Sequence, residues 1–458
     1  MMLKYLGIPY VVYEASERYG GRVYTYHFKE REGEPASTQN YFDVGAMRFP
    51  DNAANARTFE LFKELGITKE GGEGGKLLPY QLNTDENVPD EYIKKKYVKP
   101  NGEVLYGVDA CLGAAFEPYK FLLARDYKLG WELLMQHDSR STRGHLLDIM
   151  RYPAEVVQWM ETRDSGSNAY EDAFTEAMYK SLGPTPNGQD VKAPLEIVIS
   201  GLASLLPIKA SHVVSTVSLS CLRTINTSRC DLDYNQKTAL RSLKYGTGVK
   251  VGIKFRTRWW QGQTFEKQGG SSKTDRQSRV VVYPSYGVDG PADSPGVLIA
   301  TYAWNQDAFR FGSLIEPKDW GKNHEVESST SEEFLLNQLY DDLAAMHGQP
   351  PEWYRQQTLD YFAYDWYHNR YTMGGYAFFG AGQFSDLYLE ITKPASDGYL
   401  HFGGEAASCH HAWIGGALDS AWRCVWEILA KDGTQKQKGV YANSLEKPGG
   451  NDGTFHYP

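Results

Sequence analysis

Cysteine is scarce, five in 458 residues, and Cys111, Cys221, Cys230, Cys409 and Cys424 are scattered without CxxC spacing. That excludes a disulfide framework or a thiolate metal knuckle as the basis of the fold, and the five read as reduced thiols. No run of about 18 apolar residues occurs, so no helical membrane span is expected. Basic residues are outnumbered, 48 against 57 acidic ones, for a net charge of −9. With no concentrated basic face, a nucleic-acid partner is not expected. No charged-then-apolar leader opens the chain, and on the sequence as it stands the expected compartment is the cytoplasm. The length, by contrast, exceeds one ordinary core and implies two or three domains. Aromatic residues make up 14%, with 32 tyrosines and 11 tryptophans, a composition suited to deep pockets.

The rest of the chain is organised around residues 399–426. Tyr399 to Phe402 is a short apolar run, Gly403-Gly404 breaks it, and Ile414, Leu418, Ala421 and Val425 then recur at helical spacing. The pattern is strand, glycine-rich turn, helix. Glycines let backbone approach a ligand, and the N–H groups and dipole of a helix start favour an anion or an electron-rich edge. An ordinary strand-to-helix turn of an α/β sheet reads the same way. At the other end of the chain, residues 1–6 read as the last turns of a helix closed by Gly7, and Ile8 to Glu14 as a strand ending in a carboxylate.

The order of residues narrows this. Phe402-Gly-Gly-Glu405, seven residues, then Trp413-Ile-Gly-Gly-Ala-Leu-Asp-Ser-Ala421 resembles the C-terminal FAD-binding segment of the flavin amine oxidase family. Glu14-Ala-Ser-Glu-Arg-Tyr-Gly-Gly-Arg22 resembles that family's second flavin signature, and Tyr41-Phe-Asp-Val-Gly-Ala-Met-Arg-Phe-Pro50 its loop under the isoalloxazine ring. The resemblance implies FAD, with Gly404 and Glu405 at the ribityl and pyrophosphate region and Trp413 and Ile414 at the flavin's N1/O2 edge. It implies Glu14 at the adenosine ribose, Gly21 and Arg22 at the pyrophosphate, and Gly45, Ala46, Met47 and Arg48 along the ring. A guanidinium suits phosphate because its fork pairs with two oxygens.

In the L-amino acid oxidase branch the arginine ending that loop binds the substrate carboxylate, and Arg48 stands there; a surface arginine is the alternative. Lys250 precedes Trp260 by the family's interval for a lysine that holds water against flavin N5, and Lys254 follows on the same face. Two exposed lysines are the other reading. Tyr302, in the strand Gly296 to Trp304, is the candidate to donate its hydroxyl to the carboxylate, provided the register turns it to the site. Cys409-His410-His411 could suggest a metal, but three adjacent residues cannot all face one ion, and no metal is expected.

The implied fold is α/β: a Rossmann-like FAD-binding domain of the glutathione-reductase type, a mixed-sheet substrate domain and a helical insertion. FAD segments are expected over 1–50, 196–255 and 391–430, substrate segments over 51–195 and 256–390, and a tail over 431–458. A GxGxxG turn normally precedes the ribose-binding acid by about 20 residues, and only 13 residues precede Glu14. The segment Val198 to Pro207 also runs quickly into the strand 211–216, where relatives place an adenine contact. The FAD domain is therefore expected to be N-terminally truncated and its hold on FAD weak. The implied activity is oxidative deamination of an L-amino acid to a 2-oxo acid, ammonia and H₂O₂ with O₂ as acceptor. A homodimer is compatible with the family. The alternatives are an amine or polyamine oxidase, an amino acid monooxygenase, and a truncated pseudoenzyme without FAD.

Overall fold

The computed structural model describes residues 2–30, 37, 39–52, 55–80, 96–98, 104–164, 166–182, 188–191, 210–261, 269–316, 329–434 and 437–438. The segment 198–207 and the tail beyond 438 lie outside the described residues.

The largest sheet is antiparallel, in the order Gly270–Lys273, Val280–Tyr283, Gly296–Trp304, Gly248–Phe255, Thr358–Asp365. Its central strand Gly248–Phe255 is buried at every position, because both faces of the sheet are covered. Val249, Val251, Ile253 and Phe255 alternate onto one face and pack with Leu335, Leu339 and Leu343 of the helix Thr330–His347. That helix starts where the Ser329 side chain accepts from the N–H of Glu332 and ends at Gly348, whose φ of 82° suits a left-handed cap. Lys250, Gly252 and Lys254 face the other way, toward the hairpin of Thr25–His27 with Tyr41–Asp43. There Phe28, Phe42, Val44 and Met47 form a second apolar layer with Val282, Ile299 and Phe362.

Beside this lies the expected strand-turn-helix. Leu400–Phe402 pairs in parallel with Val213–Ser215, turns through Gly403-Gly404, and leads to the helix Ile414–Asp432. Five helices, Gly107–Arg125, Tyr127–Met135, Thr142–Asp148, Ala154–Arg163 and Phe174–Lys180, make up the helical insertion. They share one core with Phe402, Ala406 and Ala407. Each large apolar side chain sealed there contributes about 1.5–3 kcal/mol. A mixed three-stranded sheet joins Ile67–Thr68, Gly75–Tyr80 and Gly188–Val191, and the glycine-rich stretch 71–76 leads into its middle strand.

The structure corrects the sequence reading at residues 8–14. The helix Met2–Tyr5 and the turn at Gly7 are present, but Ile8 to Glu14 pairs with no strand among the described residues, and Tyr10, Val11, Val12 and Tyr13 are exposed. β-propensity makes a strand only where a neighbour supplies the ladder partners.

Candidate active site

Two glycine-dependent turns meet at the first wall. Gly20 and Gly21 take φ of 90° and 53°, and the backbone beyond them is held against the loop 45–48: Gly45 N–H donates to Tyr24 O at 2.9 Å and Ala46 N–H to Arg22 O at 3.1 Å. A Cβ at Gly45 would stand 1.9 Å from Arg22 O, so only glycine permits this approach. Lys250 secures the loop from the sheet side. Its ammonium is buried and donates to Asp43 O at 2.9 Å and Gly45 O at 2.6 Å. Lys254 is buried as well and donates to Lys29 O at 3.2 Å, which removes the exposed-lysine reading.

Strand register decides the next member. Tyr302 is the direct partner of Lys250, so both side chains stand on the same face. Lys250 Nζ lies 4.5 Å from the Tyr302 ring centroid and the Arg48 guanidinium 5.6 Å from it. Arg48, Lys250 and Tyr302 thus converge, as the sequence implied. Met47 is buried in the apolar cluster of Phe42 and Val44, against which Tyr302 packs. Asp43, which sequence reasoning passed over although it lies inside the quoted motif, is raised to about 6 by burial, opposed by a hydrogen bond from Thr25 and by the charge of Lys250.

The opposite wall is built on Glu405. Its carboxylate accepts from Arg22 Nη1 at 2.8 Å, from Ala377 N at 3.0 Å and from Ala412 N at 2.9 Å. Burial alone would raise this carboxyl, but Arg22, His411 and the two amides hold it below its ordinary value. Arg22 also donates to Gly375 O at 3.1 Å. Gly404 N–H is taken by the Ser420 hydroxyl at 2.8 Å. Ile414 packs on Phe49 and Phe62, which brings the start of its helix against the loop carrying Arg48. His411 pairs with Glu176 at 2.8 Å, and His410 lies 3.6 Å from Asp419.

The donor set fits a flavin edge. Trp413 is the N-cap of a 19-residue helix, yet among the described residues no side chain caps that helix and the buried Trp413 indole N–H has no hydrogen-bond partner. Uncapped first-turn amides and an indole donor at one place suit an electron-rich ring edge or an anion. Glu14 stands apart: it is exposed and accepts from the amide and hydroxyl of its own neighbour Ser16, at 2.9 and 2.7 Å.

An α/β chain with this seat beside an antiparallel sheet is a flavoprotein oxidoreductase. The model of the family "Flavin containing amine oxidoreductase" matches residues 2–174 and 200–429, and the chain belongs to that family; FAD is its cofactor. It is 32% identical over 522 aligned residues to L-amino-acid oxidase 4 of Hebeloma cylindrosporum, covering 94% of this chain and 79% of that one. It is 26% identical over 475 residues to the L-amino-acid oxidase of Siganus canaliculatus, covering 93% and 82%. Among solved structures, the cyclohexylamine oxidase of Brevibacterium oxydans IH-35A superposes with a TM-score of 0.60 at 17% identity, over 97% of this chain and 96% of that one. A putrescine oxidase redesigned in its cofactor binding gives 0.62 at 16% identity, over 94% and 96%. These two likenesses establish the fold. Among the described residues no helix is long and apolar enough to cross a membrane.

Two further side chains were given no role by the sequence reading. Tyr376 lies on a two-residue strand paired with Tyr245-Gly246, and Lys180 ends an insertion helix. The stretch 371–383 around Tyr376 resembles the family locally, but only the packing of distant segments brings Lys180 over its ring.

Proposed function

We propose that the protein deaminates L-amino acids oxidatively, giving a 2-oxo acid, ammonia and H₂O₂. The observation that carries this reading is the position of Arg48, a guanidinium over the Tyr302 ring on a loop pinned by Lys250. A fixed fork of N–H donors beside a phenol hydroxyl is suited to a carboxylate, which a simple amine lacks. The names of the relatives at 32% and 26% identity agree with it.

FAD, held by Arg22, Gly404 and the helix start at Trp413, would supply the two-electron acceptor for oxidation of the Cα–N bond, with O₂ as the final acceptor. The chain's own residues do the rest. Arg48 and Tyr302 hold the carboxylate and so fix which face of Cα is presented. Glu405 and its amides hold Arg22 in place to meet phosphate charge. The Lys250 ammonium stabilises negative charge developing beside it and orients water for hydrolysis of the imino acid. The described site offers no side chain that must act as a base at Cα, consistent with hydride loss from a neutral amine.

The test compares an L-amino acid with its decarboxylated amine. Arg48→Ala lowers kcat/KM for the amino acid by about 1.5–3 kcal/mol, the scale of a charged hydrogen bond, and spares the amine. Equal losses on both substrates remove Arg48 as the carboxylate anchor.

A further inference from the structure

Lys180, the last residue of the helix Phe174–Lys180, has no part in the roles above. Its ammonium lies over three rings, 4.7 Å from the centroid of Phe378 and 5.6 Å from those of Trp304 and Tyr376. Trp304 in turn packs on Tyr302 at 4.4 Å, the ring beneath Arg48 and Lys250. Lys180 therefore stands on the same aromatic wall as the proposed carboxylate anchor. Within the described residues its ammonium makes no hydrogen bond or ion pair.

Three carboxylates lie near enough to act on it, and none forms an ion pair with it. Asp172 is paired with Lys244 and Glu176 with His411, while Asp164 is itself raised by desolvation toward its neutral form. Burial disfavours the ammonium, those three acids support it, and the charge of Arg48 adds repulsion. Aromatic faces compensate only part of the hydration a buried ammonium gives up. A second anion delivered beside Arg48 would complete the compensation.

We infer that Lys180 receives the side-chain carboxylate of a dicarboxylic L-amino acid whose α-carboxylate sits on Arg48, so that the substrate class includes acidic amino acids of the glutamate type. The inference rests on the Arg48 reading and goes beyond it, because Arg48 alone is indifferent to the side chain. Glutamate and glutamine are nearly isosteric, so a preference between them reports charge recognition and not shape.

The experiment measures kcat/KM for L-glutamate and L-glutamine with the FAD-loaded wild type, Lys180→Met and Lys180→Arg, each referred to L-leucine in the same preparation. The wild type prefers glutamate, Lys180→Met lowers the glutamate-to-glutamine ratio about tenfold to a hundredfold, and Lys180→Arg keeps most of it. Binding is read separately as the rise in Tm produced by glutarate against that by pentanoate, a difference expected in the wild type and lost in Lys180→Met. Should Lys180→Met fail to fold, a wild type that prefers glutamine and gains no more from glutarate than from pentanoate refutes the inference. An unchanged ratio in Lys180→Met, with L-leucine oxidised, overturns Lys180 alone. Oxidation of amines but of no L-amino acid overturns the proposed function, and this inference with it.

Discussion

Replacing Lys250 by methionine removes the tie between the central strand and the loop that carries Arg48. The ammonium makes two short donations, to Asp43 O and Gly45 O, and lies over one ring at 4.5 Å. Charged hydrogen bonds contribute about 1.5–3 kcal/mol each and a cation–π contact about 0.5–2. Against this stands the cost of keeping an ammonium out of water, several kcal/mol, which methionine relieves. The net loss is about 2–4 kcal/mol, and it falls on local opening of residues 43–48 because those carbonyls lose their donor. Hydrogen–deuterium exchange reads it at the amides of Gly45 and Ala46, which donate to Tyr24 O and Arg22 O. They are expected to exchange roughly 30-fold to nearly 1000-fold faster, each 1.4 kcal/mol being tenfold. Lys254→Met serves as the comparison, since that lysine donates to Lys29 O and leaves Gly45 and Ala46 protected. If both amides exchange at the wild-type rate in Lys250→Met, the lysine does not hold the loop and the argument is refuted.

Gly252→Ala places a Cβ 2.4 Å from the Phe42 ring, an overpacking that costs about 1–3 kcal/mol; Tm falls, and Phe42→Leu in the same chain restores part of it. Burial pushes the Asp43 carboxyl up from the ordinary carboxylate range to about 6. The native state therefore binds more protons than the unfolded one between about pH 4 and 6, and stability drains away as pH rises through that window. Denaturant midpoints of wild type and Asp43→Asn measured across it should diverge, with the wild type losing more; parallel curves would place Asp43 in water.

The segments that build the candidate site were legible in linear order because they are short and contiguous. Residues 400–432 carry their own strand, turn and helix, so glycine placement and helical spacing suffice to read them. The motif 41–50 is local for the same reason, and the strand Gly296–Trp304 was placed to the residue by its apolar run. The strand expected over residues 8–14 was not formed, since pairing needs a neighbour that periodicity within one segment cannot supply. Register was likewise a tertiary decision: that Tyr302 faces Lys250 and not the helical layer follows from the pairing of two strands 52 residues apart. The sequence alone settled the family and the identity of the local segments. Burial of two lysines, the engagement of Glu405 by Arg22, and the placing of Lys180 on the aromatic wall depended on distant segments packing together. Side chains at a helix end or on a sheet face acquire their partners only once the sheet, the insertion and the seat close on one another, since charge in a protein is governed by what surrounds it in space and not by its neighbours along the chain.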